Sequence, residues 1–396
     1  MSGYPWHSPY VGFTQAQLDA AAHAVRDLSG MDELVLVGGD RAAGLGLVNE
    51  TIDLYVVGDS LPVADVVYEV DGMPLRFTAL SESRVSELVS LTAGYHATTT
   101  SSPQLAVDGD RVRELIQLVT GHRLVVSSRW QAELDAIDHD TVRQMLITRR
   151  ALAFAACAAD AFRSMLSGDL FTAWTMSTAG LLCGCEAALA ATGDFVTDGN
   201  FLFRMLARSR VTVPWFPYLW RLVNWSFPVD QPPPPARVRA IIEERLMVAN
   251  LLISWCSIEG WEQKPSTLPA PPATTGVLPE GAPRRSPYFT AVRFSDAWTL
   301  LGPGQGYQTT EEVVRLWRSL DGGRQVDDCV TALAESEPGP GMTPARAESV
   351  VATLHELGAV EMLTAGHRPS PGDVPIVRTA RFNLAARCSW DLRLNR

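Results

Sequence analysis

Residues 263–286, QKPSTLPAPPATTGVLPEGAPRRS, hold six prolines in 24 positions. Proline lacks a backbone N–H and fixes φ, so neither a helix nor a central strand runs through such a stretch. The chain of 396 residues must therefore build its cores to either side of it. Residues this rich in proline favour extended polyproline II, which at ~3.1 Å per residue spans about 70 Å when stiff. The segment reads as a linker, a tether between a long N-terminal part and a shorter C-terminal one.

Both parts have the composition of folded protein: 46% of residues are hydrophobic and 19% charged. The formal charge is −11, and it is unevenly spread. Residues 284–396 carry 13 basic and 13 acidic side chains, leaving 20 and 31 for residues 1–283. A general binder of nucleic acid or anionic membrane has the opposite balance, so both are excluded as partners. Lys264 is the single lysine against 32 arginines, which reads as a compositional bias. The six cysteines are scattered, and Cys183-Gly184-Cys185 has no second pair or neighbouring histidine to complete a zinc site. A reducing, cytoplasmic setting is expected. Met1–Phe13 is aromatic and the first arginine comes at 26, unlike a secretory signal. Phe171–Gly193 is the longest apolar run, but it contains Glu186 and many small residues, and it reads as a buried bundle helix.

Periodicity assigns the elements. Residues 14–29 repeat at helical spacing, with Leu18, Ala21, Ala22, Val25 and Leu28 on one face. Strands are predicted at 33–37, 52–57, 64–70 and 74–80, the last two forming a hairpin around Asp71-Gly72. Helices follow at 82–94, 109–120, 128–137, 140–166, 170–192, 198–208 and 235–260. Beyond the linker come strands at 288–294, 297–301 and 306–309, helices at 310–320, 325–336 and 344–357, and a last strand at 359–363. The fold class is α+β: a small mixed sheet in 14–125, a helical bundle in 126–262, the linker, a module in 287–366 and an arginine-rich tail in 367–396.

The stretch from Gly39 to Tyr55 carries the most chemistry. A strand enters a glycine-rich loop, and the next strand opens on an acid. This arrangement resembles the nucleotidyltransferase superfamily, which includes the aminoglycoside nucleotidyltransferases and DNA polymerase β. Its motif is Gly-Ser, a glycine four residues on, and Asp-x-Asp heading the following strand. Aligned on Asp53, the motif glycines fall at Gly39 and Gly44, its serine at Asp40 and its first aspartate at Thr51. Side chains at i and i+2 of a strand share a face, so Asp-x-Asp holds Mg²⁺ between two carboxylates, and the glycine loop brings backbone N–H groups to the phosphates. The resemblance therefore implies Mg²⁺ at Asp53 with Thr51, and ATP or another NTP at Gly39, Asp40, Gly44 and Arg76. The family's third carboxylate belongs at Arg76–Thr78, where no acid stands. Residues 186–208 are similar to the helix-loop-helix of antibiotic nucleotidyltransferases, and Glu186 corresponds to their general base. Arg76 reads equally as a salt-bridge partner within the sheet. His139-Asp140 reads as helix capping at Asp140 in preference to a catalytic dyad.

Residues 286–363 are similar to the PqqD-like fold, the RiPP recognition element, a winged helix that binds leader peptides of ribosomally made, modified peptides. The likeness lies in Glu312–Asp328, with its Leu320-Asp321-Gly322 turn, and in Leu354–Val360. It implies a leader strand added to Gly306, Tyr307, Gln308 and Thr309 and lying against Arg346, Val350 and Leu354. The glycine- and proline-rich insert Glu337–Met342 departs from the family pattern. A DNA-reading role fails on charge, since 284–366 holds 7 basic and 11 acidic residues. Joined, the two resemblances imply a RiPP tailoring protein that captures a precursor's leader and nucleotidylates, as by adenylylation, the peptide. The alternative is an inactive nucleotidyltransferase-fold adaptor that binds the leader and scaffolds another tailoring enzyme.

Overall fold

Leu34–Gly38 (LVLVG) is buried along its whole length, as a strand covered on both faces must be. The computed structural model describes residues 12–29, 33–45, 51–58, 66–70, 72–196, 199–226, 233–271, 281–336, 342–362 and 377–378. These form an α+β structure in two units. The smaller takes the described residues up to Tyr95, with Val107–Val142 and Phe195–Met205. The larger takes His96–Ala106, Arg143–Asp194 and the described residues from Leu206 on.

The smaller unit runs α1 (Gln15–Ser29), β1 (Leu34–Gly38), α2 (Gly39–Ala42), β2 (Ile52–Val57), β3 (Val66–Val70), β4 (Met73–Leu80), α3 (Glu82–Ser90), α4 (Gly109–Thr120), β5 (His122–Val126) and α5 (Ser128–Asp135). Its sheet has the order β3-β4-β2-β1-β5. β4 lies parallel to β2, whereas the other neighbours are antiparallel. Leu18, Ala21, Ala24 and Val25 of α1 form one core with Val35, Val37, Ile52, Leu54, Val56 and Leu75. β5 was not expected from the sequence: HRLVV lacks alternation, and pairing with β1 is what makes it a strand. Asp71 of the expected hairpin turn and Glu50 lie outside the described residues. Asp108 and Ser81 cap α4 and α3, each accepting from a backbone N–H three residues on.

The chain continues through α6 (His139–Ser167), α7 (Leu170–Thr192), α8 (Leu202–Arg208), α9 (Phe216–Asn224) and α10 (Pro235–Ile258), all in the larger unit except His139–Val142 and Leu202–Met205. α7 and α10 meet at small residues, and a Cβ on Gly184 would stand 2.8 Å from Ala249 Cα. β6 (Pro283–Arg285), β7 (Thr290–Arg293), β8 (Trp298–Gly302) and β9 (Gln305–Thr309) come next. Then follow α11 (Glu311–Ser319), α12 (Val326–Ser336), α13 (Pro344–Glu356), β10 (Val360–Met362) and β11 (Val377–Arg378). β6 pairs with β10, and a second sheet has the order β11-β9-β8-β7.

The ends of the proline-rich stretch are held in place. Trp215 Nε1 donates to Pro269 O at 2.6 Å, and Pro283–Arg285 is the strand paired with β10. The module beyond it shares a core with α10 through Ile258, and Asn250 Nδ2 donates to Phe289 O. It therefore packs on α10 within one unit, where the composition alone suggested a separate body on a tether. Residues 272–280 lie outside the described residues, as do most of the insert after Ser336 and the tail other than 377–378. No helix among the described residues is long and apolar enough to cross a membrane.

Candidate functional site

β1 ends on Gly38, which pairs with Asp53 across the β1–β2 ladder. Gly39 follows at φ +76°, and a Cβ there would lie 2.8 Å from Asp53 Oδ2. Both facts require glycine: the backbone is left-handed, and the carboxylate occupies the side-chain space. The Gly39 N–H donates to Oε1 of Gln117 at 2.8 Å. Gln117 is a buried polar residue of α4 that sequence reading passed over, since nothing near it in the chain marks it. Gly44 also has positive φ, at +71°, and the carbonyl of Leu45 accepts from Arg204 Nη1 at 2.6 Å. Gly39 and Gly44 thus both take the left-handed backbone that glycine allows, and the Gly39 amide is already turned to a side chain of the protein.

The acid that should hold the metal has a different partner. The parallel β2–β4 register sets Arg76 beside Asp53, and its Nε and Nη2 both lie 2.7 Å from Asp53 Oδ1. The Asp53 side chain is only 16% exposed, so the guanidinium supplies its counter-charge at close range. Of the two readings of Arg76, the salt bridge within the sheet is the one formed. Arg76 also stands on the strand segment where the motif resemblance looked for a third carboxylate. Thr51, half-buried just before β2, brings no charge, and Asp40 falls in α2 with its side chain outside the described residues. Among the described residues there is no group of three His, Cys, Asp or Glu able to hold a metal ion. A divalent cation needs several oxygen ligands and charge to balance. Among the described side chains this end of β2 offers one carboxylate, already paired with an arginine, and that set does not fit Mg²⁺. Two residues along β2, burial and then the Asp53 charge push the Tyr55 hydroxyl up to about 12.

Glu186 belongs to the other unit. It lies on α7 with its side chain 16% exposed and forms an ion pair with Arg150 of α6. The capping expectation at His139-Asp140 moves by two residues: Asp138 accepts from the Asp140 N–H at 2.9 Å and from Thr141 Oγ1 at 2.6 Å.

The residues expected to take a peptide sort into two groups. Val350 and Leu354 of α13 have no exposed surface, and Tyr307 is 5% exposed with its ring stacked on Phe289. These are core residues, and an incoming peptide does not reach their side chains. Arg346 is half-exposed and pairs with Glu312 at 3.0 Å. Gly306, Tyr307, Gln308 and Thr309 do lie on β9, the third strand of the module, paired with β8 on one side. On the other side the chain's own Val377 and Arg378 pair with Gln308 and Tyr307. The edge expected to receive a leader strand thus already carries a short antiparallel strand from the C-terminal tail.

No family model and no curated protein matches the chain. Among solved structures it is similar to the crystal structure of a nucleotidyltransferase-like protein from Exiguobacterium sibiricum 255-15. The identity is 11%, the match covers 61% of this chain and 76% of that one, and the TM-score is 0.35.

Proposed function

We propose that the chain is a peptide-binding adaptor whose nucleotidyltransferase-like sheet has exchanged a metal site for an ion pair. In this reading the C-terminal module holds the leader region of a ribosomally made precursor while a separate tailoring enzyme modifies it. The observation that carries the adaptor reading over adenylylation is the Asp53–Arg76 pair, with Arg76 in the segment where a third carboxylate is needed. Strand addition at β9 supports the peptide-binding half: backbone pairing is sequence-tolerant, and Val377 and Arg378 of the same chain pair along that edge.

The transfer reading, Mg²⁺ and ATP acting at Asp53 and Thr51 with Glu186 as base, draws on the left-handed Gly39 packed under Asp53. It requires the metal to displace Arg76 from the one carboxylate available. The two readings separate in one experiment. The full chain is incubated with α-labelled ATP, Mg²⁺ and a panel of synthetic precursor-type peptides, each with a leader segment ahead of its core. The adaptor reading expects a peptide to bind in fluorescence polarisation, no label to be incorporated, and Asp53→Ala to bind as well as the parent. Incorporation that is lost in Asp53→Ala overturns it in favour of transfer, and absence of peptide binding overturns both.

A further inference from the structure

A cleft of about 480 Å³ lies against α10 in the larger unit. Met247, Leu251 and Trp255 line it at i, i+4 and i+8, a spacing that sets all three on one stripe of the helix. All three are half-buried, and Arg318, Asp321 and Arg324 also line the cleft. Contiguous apolar surface rimmed by polar side chains marks interaction sites. Among the described residues no acceptor meets the Trp255 indole N–H.

The chain's own proline-rich segment lines the same cleft, through Pro269 and Ala270. Leu268 and Ala270 each precede a proline, which biases them to extended backbone, so Leu268-Pro269-Ala270-Pro271 is a polyproline II sequence. Trp215 Nε1 donates to Pro269 O at 2.6 Å, and the Tyr218 ring packs edge-on against Trp215 with centroids 6.0 Å apart. Polyproline II has no internal hydrogen bonds, so its carbonyls are open to such donors, and aromatic-lined grooves recognise it. The charges along the cleft are paired within the protein: Arg318 with Glu259 at 3.0 Å, Arg324 with Asp321 at 3.4 Å, and Glu244 with the Tyr218 hydroxyl at 2.9 Å. Arg285 is buried, with Nη1 given to the carbonyls of Arg318 and Leu320. The surface therefore suits an uncharged ligand. Between Met247 and Trp255 the helix rises about 12 Å, which about four residues of polyproline II span at ~3.1 Å each.

We propose that the cleft receives a second proline-rich segment, uncharged and extended, from a partner protein. Its proline rings lie on Met247, Leu251 and Trp255, and one of its carbonyls accepts from Trp255 Nε1 as Pro269 O accepts from Trp215. Such a segment is not the peptide expected at β9, because proline has no N–H to give a strand ladder. The proposal is independent of the readings of Asp53 and of β9.

The test uses the full chain and a fluorescein-labelled peptide that repeats the Leu268–Pro272 sequence, LPAPPLPAPP, beside an analogue with every proline replaced by alanine. Binding is read by fluorescence polarisation and by calorimetry. The proline peptide is expected to bind at least about tenfold more tightly than the analogue, since its preorganised backbone loses less entropy. Trp255→Phe, which keeps an aromatic ring and loses the N–H, is expected to weaken binding several-fold, the worth of one hydrogen bond. Leu251→Ala, which removes part of the apolar wall, is expected to weaken it likewise, with the circular dichroism of both variants unchanged. The proposal is overturned if the proline peptide does not outbind its analogue, or if both variants stay folded and bind like the parent. It is also overturned if the peptide binds only once residues 272–280 are replaced by a glycine-serine run of equal length, a result that assigns the cleft to the chain's own segment.

Discussion

The Asp53–Arg76 pair gives the acid near the head of β2 a structural partner through a single side chain. Two carboxylates sharing a strand face repel until a cation joins them, whereas an arginine in their midst brings its own charge and its own donors. Restoring an acid is therefore the sharpest test of the register. Arg76→Asp places two carboxylates across adjacent parallel strands, and Mn²⁺ binding, read by calorimetry or paramagnetic broadening, is expected in that variant and not in the parent. If the variant stays folded and binds nothing, the strand pairing does not bring these positions together as described. Gly39 is the second residue on which the site depends. Gly39→Ala puts a methyl into a left-handed backbone and against Asp53 Oδ2, a strain of about 1–3 kcal/mol in denaturant unfolding. The clash component is removed when Asp53 is also shortened. The cost in an Asp53→Ala background is accordingly smaller, and equal costs would show that backbone strain alone is at work.

At the scale of elements, what the sequence made legible was periodicity. Helices α4, α6, α7, α10 and α11 fall close to their expected spans, as do strands β2 and β4. The misses are elements whose identity comes from a partner. His122–Val126 is a strand because β1 lies beside it, and α9, over Phe216–Asn224, is short and aromatic with a proline in its first turn. The strand at Val377–Arg378 is the extreme case, since two residues have no pattern of their own. It bears directly on the peptide site, because a strand edge takes one partner at a time. Removing residues 363–396 is expected to speed amide hydrogen exchange along β9 and, on the adaptor reading, to tighten binding of the precursor peptide several-fold. Unchanged exchange on β9 would show that the tail strand gives that edge no protection.

Across the whole molecule, the arginine bias of the composition acquires a use. Arg143 donates to the carbonyls of Gly260 and Trp261, Arg149 to Leu105, Arg204 to Leu45, Arg245 to Leu222 and Arg285 to Arg318. Four of the five are buried, and each satisfies backbone acceptors in loops or at helix ends, a task suited to a planar fork of donors and poorly served by an ammonium. Burial leaves its mark on the titration too. Tyr55 and Tyr288 are both pushed up to about 12 from an ordinary value of 10, in each case first by burial. Between those values an unfolded chain gives up these protons and the folded chain keeps them, so the unfolded state binds fewer protons and stability falls as pH rises. The melting temperature, followed by circular dichroism, is expected to decline from about pH 10 to pH 12.

Some of this was settled by the order of residues alone. An α+β class, the place of the acidic excess in residues 1–283, the absence of a second acid two positions before Asp53, and most element spans follow from composition and local spacing, which act within a turn or a strand. The choice of partners did not. Asp53 and Arg76 are 23 residues apart, and they meet because a parallel register buries both faces of β2. Arg285 meets backbone carbonyls because β6 carries it against the end of α11. Tertiary structure made those decisions, since the free energy of hiding apolar surface fixes the register, and the charges must then accept the neighbours that packing provides.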